Sequence, residues 1–109
     1  MKRGDIVIVA LPGDLGKRRP AVIVETDRLA PTDHVIICPG TSFLRYDVDQ
    51  RRVYVEPSEA NGLKVATQFQ ADKITVTRRD KCGPVIGTLE TDVAERLSGV
   101  LFALLGLAG

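Results

Sequence analysis

Lys17, Arg18 and Arg19 stand in a row between two apolar stretches, with Pro20 directly after them. A hairpin needs a turn, but it does not need three consecutive cations. A guanidinium grips phosphate oxygens in pairs and stays charged at any physiological pH. The plainer reading is a solvated basic loop. A second group lies in PGTS, where Thr41 and Ser42 follow a sharp turn at the end of an apolar run. Hydroxyls in that place either hold an anion's oxygen or cap the turn. A third lies in FQADKI, where Gln68, Gln70 and Asp72 alternate and so share one face of an extended run. The plainer reading there is the solvent face of an ordinary strand. His34, the single histidine, begins an apolar run after PTD, a common place for a surface histidine. The chain has no Gly-rich phosphate loop, HExxH, nucleophile elbow or CxxC. Cys38 and Cys82 lie far apart and in no metal-ligand spacing, so they read as reduced thiols. Neither a metal nor a cofactor is expected.

The elements that must position these groups are short. Asp5–Leu11 is a continuous β-branched run, expected as a buried strand, and Pro12, Gly13 and Gly16 punctuate the loop after it. Pro20–Thr26 forms a second strand. HVIICPGTS forms a third that ends at Pro39-Gly40, and Phe43 to Arg52 reads as loop or edge. VYVEP is a short strand and SEANGLK a turn around Asn61-Gly62. VATQFQADKITVT gives two strand pieces bent near Ala71-Asp72, RRDKCGP a turn, and VIGTL a last strand. From Glu90 the period becomes helical, with Val93, Leu97, Val100, Leu101, Leu104 and Leu105 in one stripe. Glu90 or Thr91 caps its start, and Gly106 or Gly109 ends it. The helix is expected to run to about Leu107. Phe102, Ala103 and Leu107 make its end apolar nearly all round, which favours contact with a second subunit.

These elements fit one domain over residues 1–109, mainly β, a small SH3-like barrel with a C-terminal α-helix. With 44% apolar and 27% charged residues the composition is that of an ordinary soluble domain. Aromatics make up 5%, so the core must be aliphatic. The net charge of +1 excludes a molecule that attracts polyanions as a whole, so any anion site depends on local clustering. The first apolar run breaks at Pro12, too early for a signal peptide or a membrane span. A cytoplasmic protein without membrane attachment is expected.

KRGDIVIVAL, RRPAVIVETD, CPGTS, GLKVATQFQADKI and IGTL, in that order before a terminal helix, resemble the MazF/PemK/Kid toxins of type II toxin–antitoxin pairs. The resemblance covers nearly the whole chain from about Lys2. It implies the CcdB/PemK-like toxin fold, a homodimer and a cognate antitoxin as partner. It also implies a metal-independent endoribonuclease that cuts single-stranded RNA, including mRNA, at short sequences and so stops translation and growth. By the family's motifs, Arg19 and Thr41 act at the scissile phosphate, and Asp72 is an acidic position that some members use. Three positions depart from the pattern. Val7 stands where members carry an aromatic, the first loop is short and lacks a Glu-Gln pair, and Gln70 stands where some have arginine.

Chemistry gives these residues roles. RNA carries its own nucleophile, the 2′-hydroxyl beside each phosphate. Cleavage by that group leaves a 2′,3′-cyclic phosphate and a 5′-hydroxyl. It requires alignment of the hydroxyl and stabilisation of the charge that develops on phosphorus. Arg19 suits the second task, Thr41 or Ser42 the first, and Asp72 or water is the candidate base. Lys17 and Arg18 then hold the backbone, while the amides of Gln68 and Gln70 reach base edges of unpaired RNA. Two rivals are a CcdB-like toxin that binds DNA gyrase without cutting, and an SH3-like module that docks a peptide. The first depends on residues at the very end of the helix, where this chain has GLAG; the second needs an aromatic groove.

Overall fold

The computed structural model describes residues 1–47 and 49–107. Seven strands, β1 (Asp5–Ala10), β2 (Arg18–Ile23), β3 (His34–Thr41), β4 (Arg52–Val55), β5 (Thr67–Gln70), β6 (Thr75–Arg78) and β7 (Val85–Thr88), precede one helix, α1 (Thr91–Leu104). They form one antiparallel sheet in the order β4-β5-β3-β2-β1-β7, with β6 also on β3. The sheet curls into a half-barrel closed on one side by α1.

β3 is the pivot. Its first half, His34–Ile37, pairs with β6, and its last two residues, Gly40 and Thr41, pair with β5. Pro39, which has no N–H to donate, falls in the gap between the two ladders. The strand therefore continues past Pro39-Gly40, where the sequence suggests an end, and carries Thr41 to its final position. Gly40 has no substitute there: a Cβ would stand 2.7 Å from the Thr67 methyl and 3.0 Å from the Phe69 ring. β2 likewise starts earlier than its apolar run, at Arg18, because Arg18 and Arg19 pair with Ala10 and Val9.

Curling buries both faces of the central strands, which is why β1 reads as an unbroken apolar run. Ile6, Val22, Cys38 and Phe69 pack against Val93, Leu97 and Leu101 of the helix in one cluster. Val7, Val9, Ala21, Ile23, Val35 and Ile37 fill the opposite, inner face. Cys38 sits in the first layer, and burial, with a smaller push from the charge of Asp72, raises its thiol from 9.0 to about 12.

The bend expected near Ala71-Asp72 is a single 3-10 turn, Ala71–Lys73, and RRDKCGP holds another, Arg79–Lys81. α1 ends at Leu104, earlier than its apolar stripe. Gly106 adopts φ +73°, its N–H reaches Ala103 O, and the Leu107 N–H reaches Phe102 O, the paired bonds of a Schellman cap. At the other end Glu90 occupies the cap position without a side-chain cap bond. Its carboxylate instead accepts from Ser58 Oγ and Asn61 Nδ2 at 3.0 and 3.1 Å. No helix among the described residues is long and apolar enough to cross a membrane.

Candidate functional site

A cleft of about 420 Å³ opens where the start of β2, the end of β3 and the segment after Gly62 meet. Lys17, Arg18 and Arg19 of the first segment, Thr41 and Ser42 of the second and Lys64 of the third line it. Ile8, Pro20, Leu63, Val65 and Ile86 supply an apolar floor. Cations and hydroxyls around an apolar floor suit a ligand with an anionic backbone and flat, poorly hydrated groups.

Each segment is fixed by its own local chemistry. Between β1 and β2 the chain turns through Gly13, Leu15 and Gly16, all at positive φ, with Asp14 N–H on Leu11 O and Lys17 N–H on Asp14 O. This tight path aims Asp14 back at Arg19. Arg19 Nη2 donates to Asp14 Oδ1 at 2.9 Å. Arg19 Nε lies 2.8 Å from Oδ2, close enough for charge contact though without hydrogen-bond geometry. Both side chains are about four-fifths buried, at 22% and 19% exposure. The pair fixes the guanidinium and leaves Nη1 out of the contact. Arg18 lies against Gly83, where a Cβ would stand 2.8 Å from its Nη2.

Thr41 resolves the choice between capping and anion binding by permitting both. Its Oγ1 accepts the Phe43 N–H at 3.1 Å, so it caps the turn. A hydroxyl that accepts one bond still has its own proton to donate, now with its oxygen fixed. The third segment is held by Asn61, fully buried, whose side-chain oxygen accepts from Ser58 N–H and Leu63 N–H while Nδ2 donates to Glu56 O and Glu90. Gly62 lets this segment meet β7 backbone to backbone: at φ +70°, a Cβ would stand 2.0 Å from Ile86 O.

The cleft thus brings together Lys17, Arg18, Arg19, Thr41 and Ser42. It does not bring Gln68, Gln70 or Asp72. β5 lies between β4 and β3, and all four of its residues are buried, so the alternation in FQADKI does not mark a solvent face. Gln68 Oε1 accepts from Arg45 N–H and Arg52 Nη1, each at 2.9 Å, and its Nε2 donates to Arg45 O at 2.8 Å. That amide is committed to the protein. Asp72 is exposed on a turn that packs against α1 and β3, away from the lining. His34 is exposed at the start of β3 and does not line the cleft.

Sequence reasoning missed Asp14, Lys64 and Asn61. Asp14 precedes Arg19 by five residues, a spacing with no meaning in a helix or strand; the flanking glycines were its one signal. Among the described residues, no group of three or more His, Cys, Asp or Glu could hold a metal ion.

Residues 2–105 match the family model of the PemK-like, MazF-like toxin of type II toxin–antitoxin systems. A probable endoribonuclease MazF of Mycolicibacterium smegmatis is 36% identical over 111 residues and covers 100% of both chains. An endoribonuclease in complex with its cognate antitoxin, from a mycobacterial species, superposes with a TM-score of 0.80 at 23% identity, over 98% of this chain and 96% of that one. MazF from Deinococcus radiodurans gives a TM-score of 0.71 at 24% identity, over 97% and 96%. The half-barrel with its C-terminal helix is the fold of these toxins, and the chain belongs to the PemK-like, MazF-like toxin family of type II toxin–antitoxin systems.

Proposed function

We propose that the chain is the toxin of its pair, an endoribonuclease that cuts single-stranded RNA, mRNA included, through the RNA's own 2′-hydroxyl. The observation that carries the reading is the convergence of a fixed guanidinium, Arg19, and a fixed hydroxyl, Thr41, on one cleft rimmed by Lys17, Arg18 and Lys64. A probable endoribonuclease as a full-length relative supports it.

The scissile phosphate sits between Arg19 and Thr41. The 2′-hydroxyl gives its proton to water and its oxygen bonds to phosphorus, and the bond to the 5′-oxygen breaks as that oxygen takes a proton from water. The guanidinium takes up the charge that grows on the non-bridging oxygens. Because Asp14 already holds it, little reorganisation is needed during the reaction. The Thr41 hydroxyl donates to one of those oxygens and keeps the attacking and leaving groups in line. Ser42 stands beside it as a second donor. Lys17, Arg18 and Lys64 bind neighbouring phosphates, so affinity falls as salt rises. The nucleophile is in the substrate and the charge is met by an arginine, so no metal is required, and the products carry 2′,3′-cyclic phosphate and 5′-hydroxyl ends.

The protein acts as a two-fold dimer in the cytoplasm. Phe102, Leu105 and Leu107, at 51%, 57% and 64% exposure, leave the end of α1 apolar and open, and a second copy covers it. A cognate antitoxin silences the cleft by laying an acidic segment along Lys17–Arg19, as acidic segments that order on binding do. A purified sample that cuts single-stranded RNA in EDTA, and loses this on Arg19→Ala, supports the reading. An Arg19→Ala variant as active as the parent removes it.

A further inference from the structure

Beyond the cleft, the loop after Thr41 displays aromatic rings in a way that folding does not require. The chain has five Phe and Tyr residues. Phe69 is fully buried in the core, and Phe102 lies on α1. The other three are on the surface: Phe43 at 77% exposure and Tyr46 at 74%, both in the loop after β3, and Tyr54 at 36% on β4. Two large rings that exposed in one short loop contribute little to the core.

The loop beneath them is nonetheless held firmly. The Phe43 N–H donates to Thr41 Oγ1, and Phe43 O accepts from Arg52 Nη1 at 3.1 Å. The Arg45 N–H and C=O are both held by the amide of the buried Gln68. Four backbone groups within three residues are thus tied to side chains of β3, β4 and β5. The rings are presented from a preorganised support, and that support begins at Ser42, which lines the cleft. Arg51 is exposed next to Arg52, so the margin is cationic, while Arg45 is paired with Asp47 at 2.6 Å.

We propose that Phe43 and Tyr46 form a stacking platform for the unpaired bases next to the phosphate held by Arg19 and Thr41, and that this loop selects which RNA sequences are held. The inference rests on the reading of the cleft as an RNA site. Exposed rings on a fixed backbone beside a positive groove are what single-stranded nucleic acid requires, since every base has a face to stack and splayed bases lose their own neighbours. Gln68 then acts as a positioning residue. It fixes the loop that carries the rings, and its amide does not touch a base.

The test uses the full chain and short single strands with a 2′-deoxy nucleotide at the cleaved position, which cannot react, and 2-aminopurine beside it. The parent should bind and quench the fluorophore by stacking. Phe43→Ala and Tyr46→Ala should each weaken binding by roughly 5- to 150-fold, the range for losing one base–aromatic stack. Phe43→Trp should retain quenching, and Phe43→Leu, equally apolar but without a flat ring, should not. On cleavable RNA the Ala variants should raise KM more than they lower kcat and should change the set of sequences cut. Because these side chains are exposed, circular dichroism should match the parent. If Phe43→Ala and Tyr46→Ala bind the deoxy strand as the parent does, the platform is wrong. The same holds if they alter only dimer mass or antitoxin affinity. A parent that binds and quenches but cuts no RNA keeps the platform and rejects the nuclease.

Discussion

The cleft and the free end of α1 are both open surfaces, and they are built in opposite ways. In the cleft, the side chains proposed to act on RNA are already bonded to the protein: Arg19 to Asp14, and Thr41 to Phe43. At the end of α1, Phe102, Leu105 and Leu107 are exposed beyond a stripe whose buried members are Val93, Leu97 and Leu101. Polar groups act at a distance and in a direction, so they must be aimed before a ligand arrives, and aiming uses second partners. Apolar surface has no direction and needs only a matching surface to exclude water.

The largest effect is expected at the helix end. Leu105→Glu would put one unpaired charge from each protomer into the proposed two-fold interface, at about 3–5 kcal/mol for each. The parent should sediment at twice the 11.8 kDa chain mass and the variant at once that mass at micromolar concentration. Leu101 would be a poor choice, because at 8% exposure it belongs to the core and its replacement would unfold the protomer. A Leu105→Glu variant that stays dimeric would break the contrast between the two regions.

Next comes Arg19→Ala, with about 2.7–4 kcal/mol lost from transition-state stabilisation, near 100- to 1,000-fold in rate, and an unchanged fold. Asp14→Asn should follow. It keeps the shape but weakens the grip on Arg19, and it should lower kcat by on the order of tenfold with a small change in KM, because misplacement of a bound group costs rate. An unchanged kcat would mean that Arg19 needs no such aiming. Smaller again is Thr41→Val, which keeps the β-branch and deletes the hydroxyl, for about 0.5–1.5 kcal/mol. Ser42→Ala should cost less still. Equal rates for Thr41→Val and the parent would return Thr41 to a turn cap alone.

Much of this was legible in the sequence, and unevenly so. The β-branched runs, the bend at Ala71-Asp72 and the change of period after Glu90 state the fold, because sheet and helix differ in periodicity. The order of motifs pointed to Arg19 and Thr41. Alternation misled for Gln68 and Gln70, since a period of two assigns sides of a strand but does not say whether both sides are covered. β5 is enclosed by β3, β4 and the 43–47 loop, so both glutamines are buried and the Gln68 amide bonds that loop. Asp14 and Lys64 were hidden because loops bring distant positions together without any period. Glu90 stands at the cap position as read, but its carboxylate bonds Asn61 rather than the helix N–H groups, a contact across 29 residues that local pattern cannot reveal.

The central claim is that the substrate supplies the nucleophile while Arg19 and Thr41 manage the charge. The most direct measurement is the chemistry of the ends left when the purified protein is given a defined single-stranded RNA in EDTA. The account predicts full activity, with a 2′,3′-cyclic phosphate on one fragment and a 5′-hydroxyl on the other. A 5′-phosphate, or cleavage that returns only with added magnesium, would contradict it.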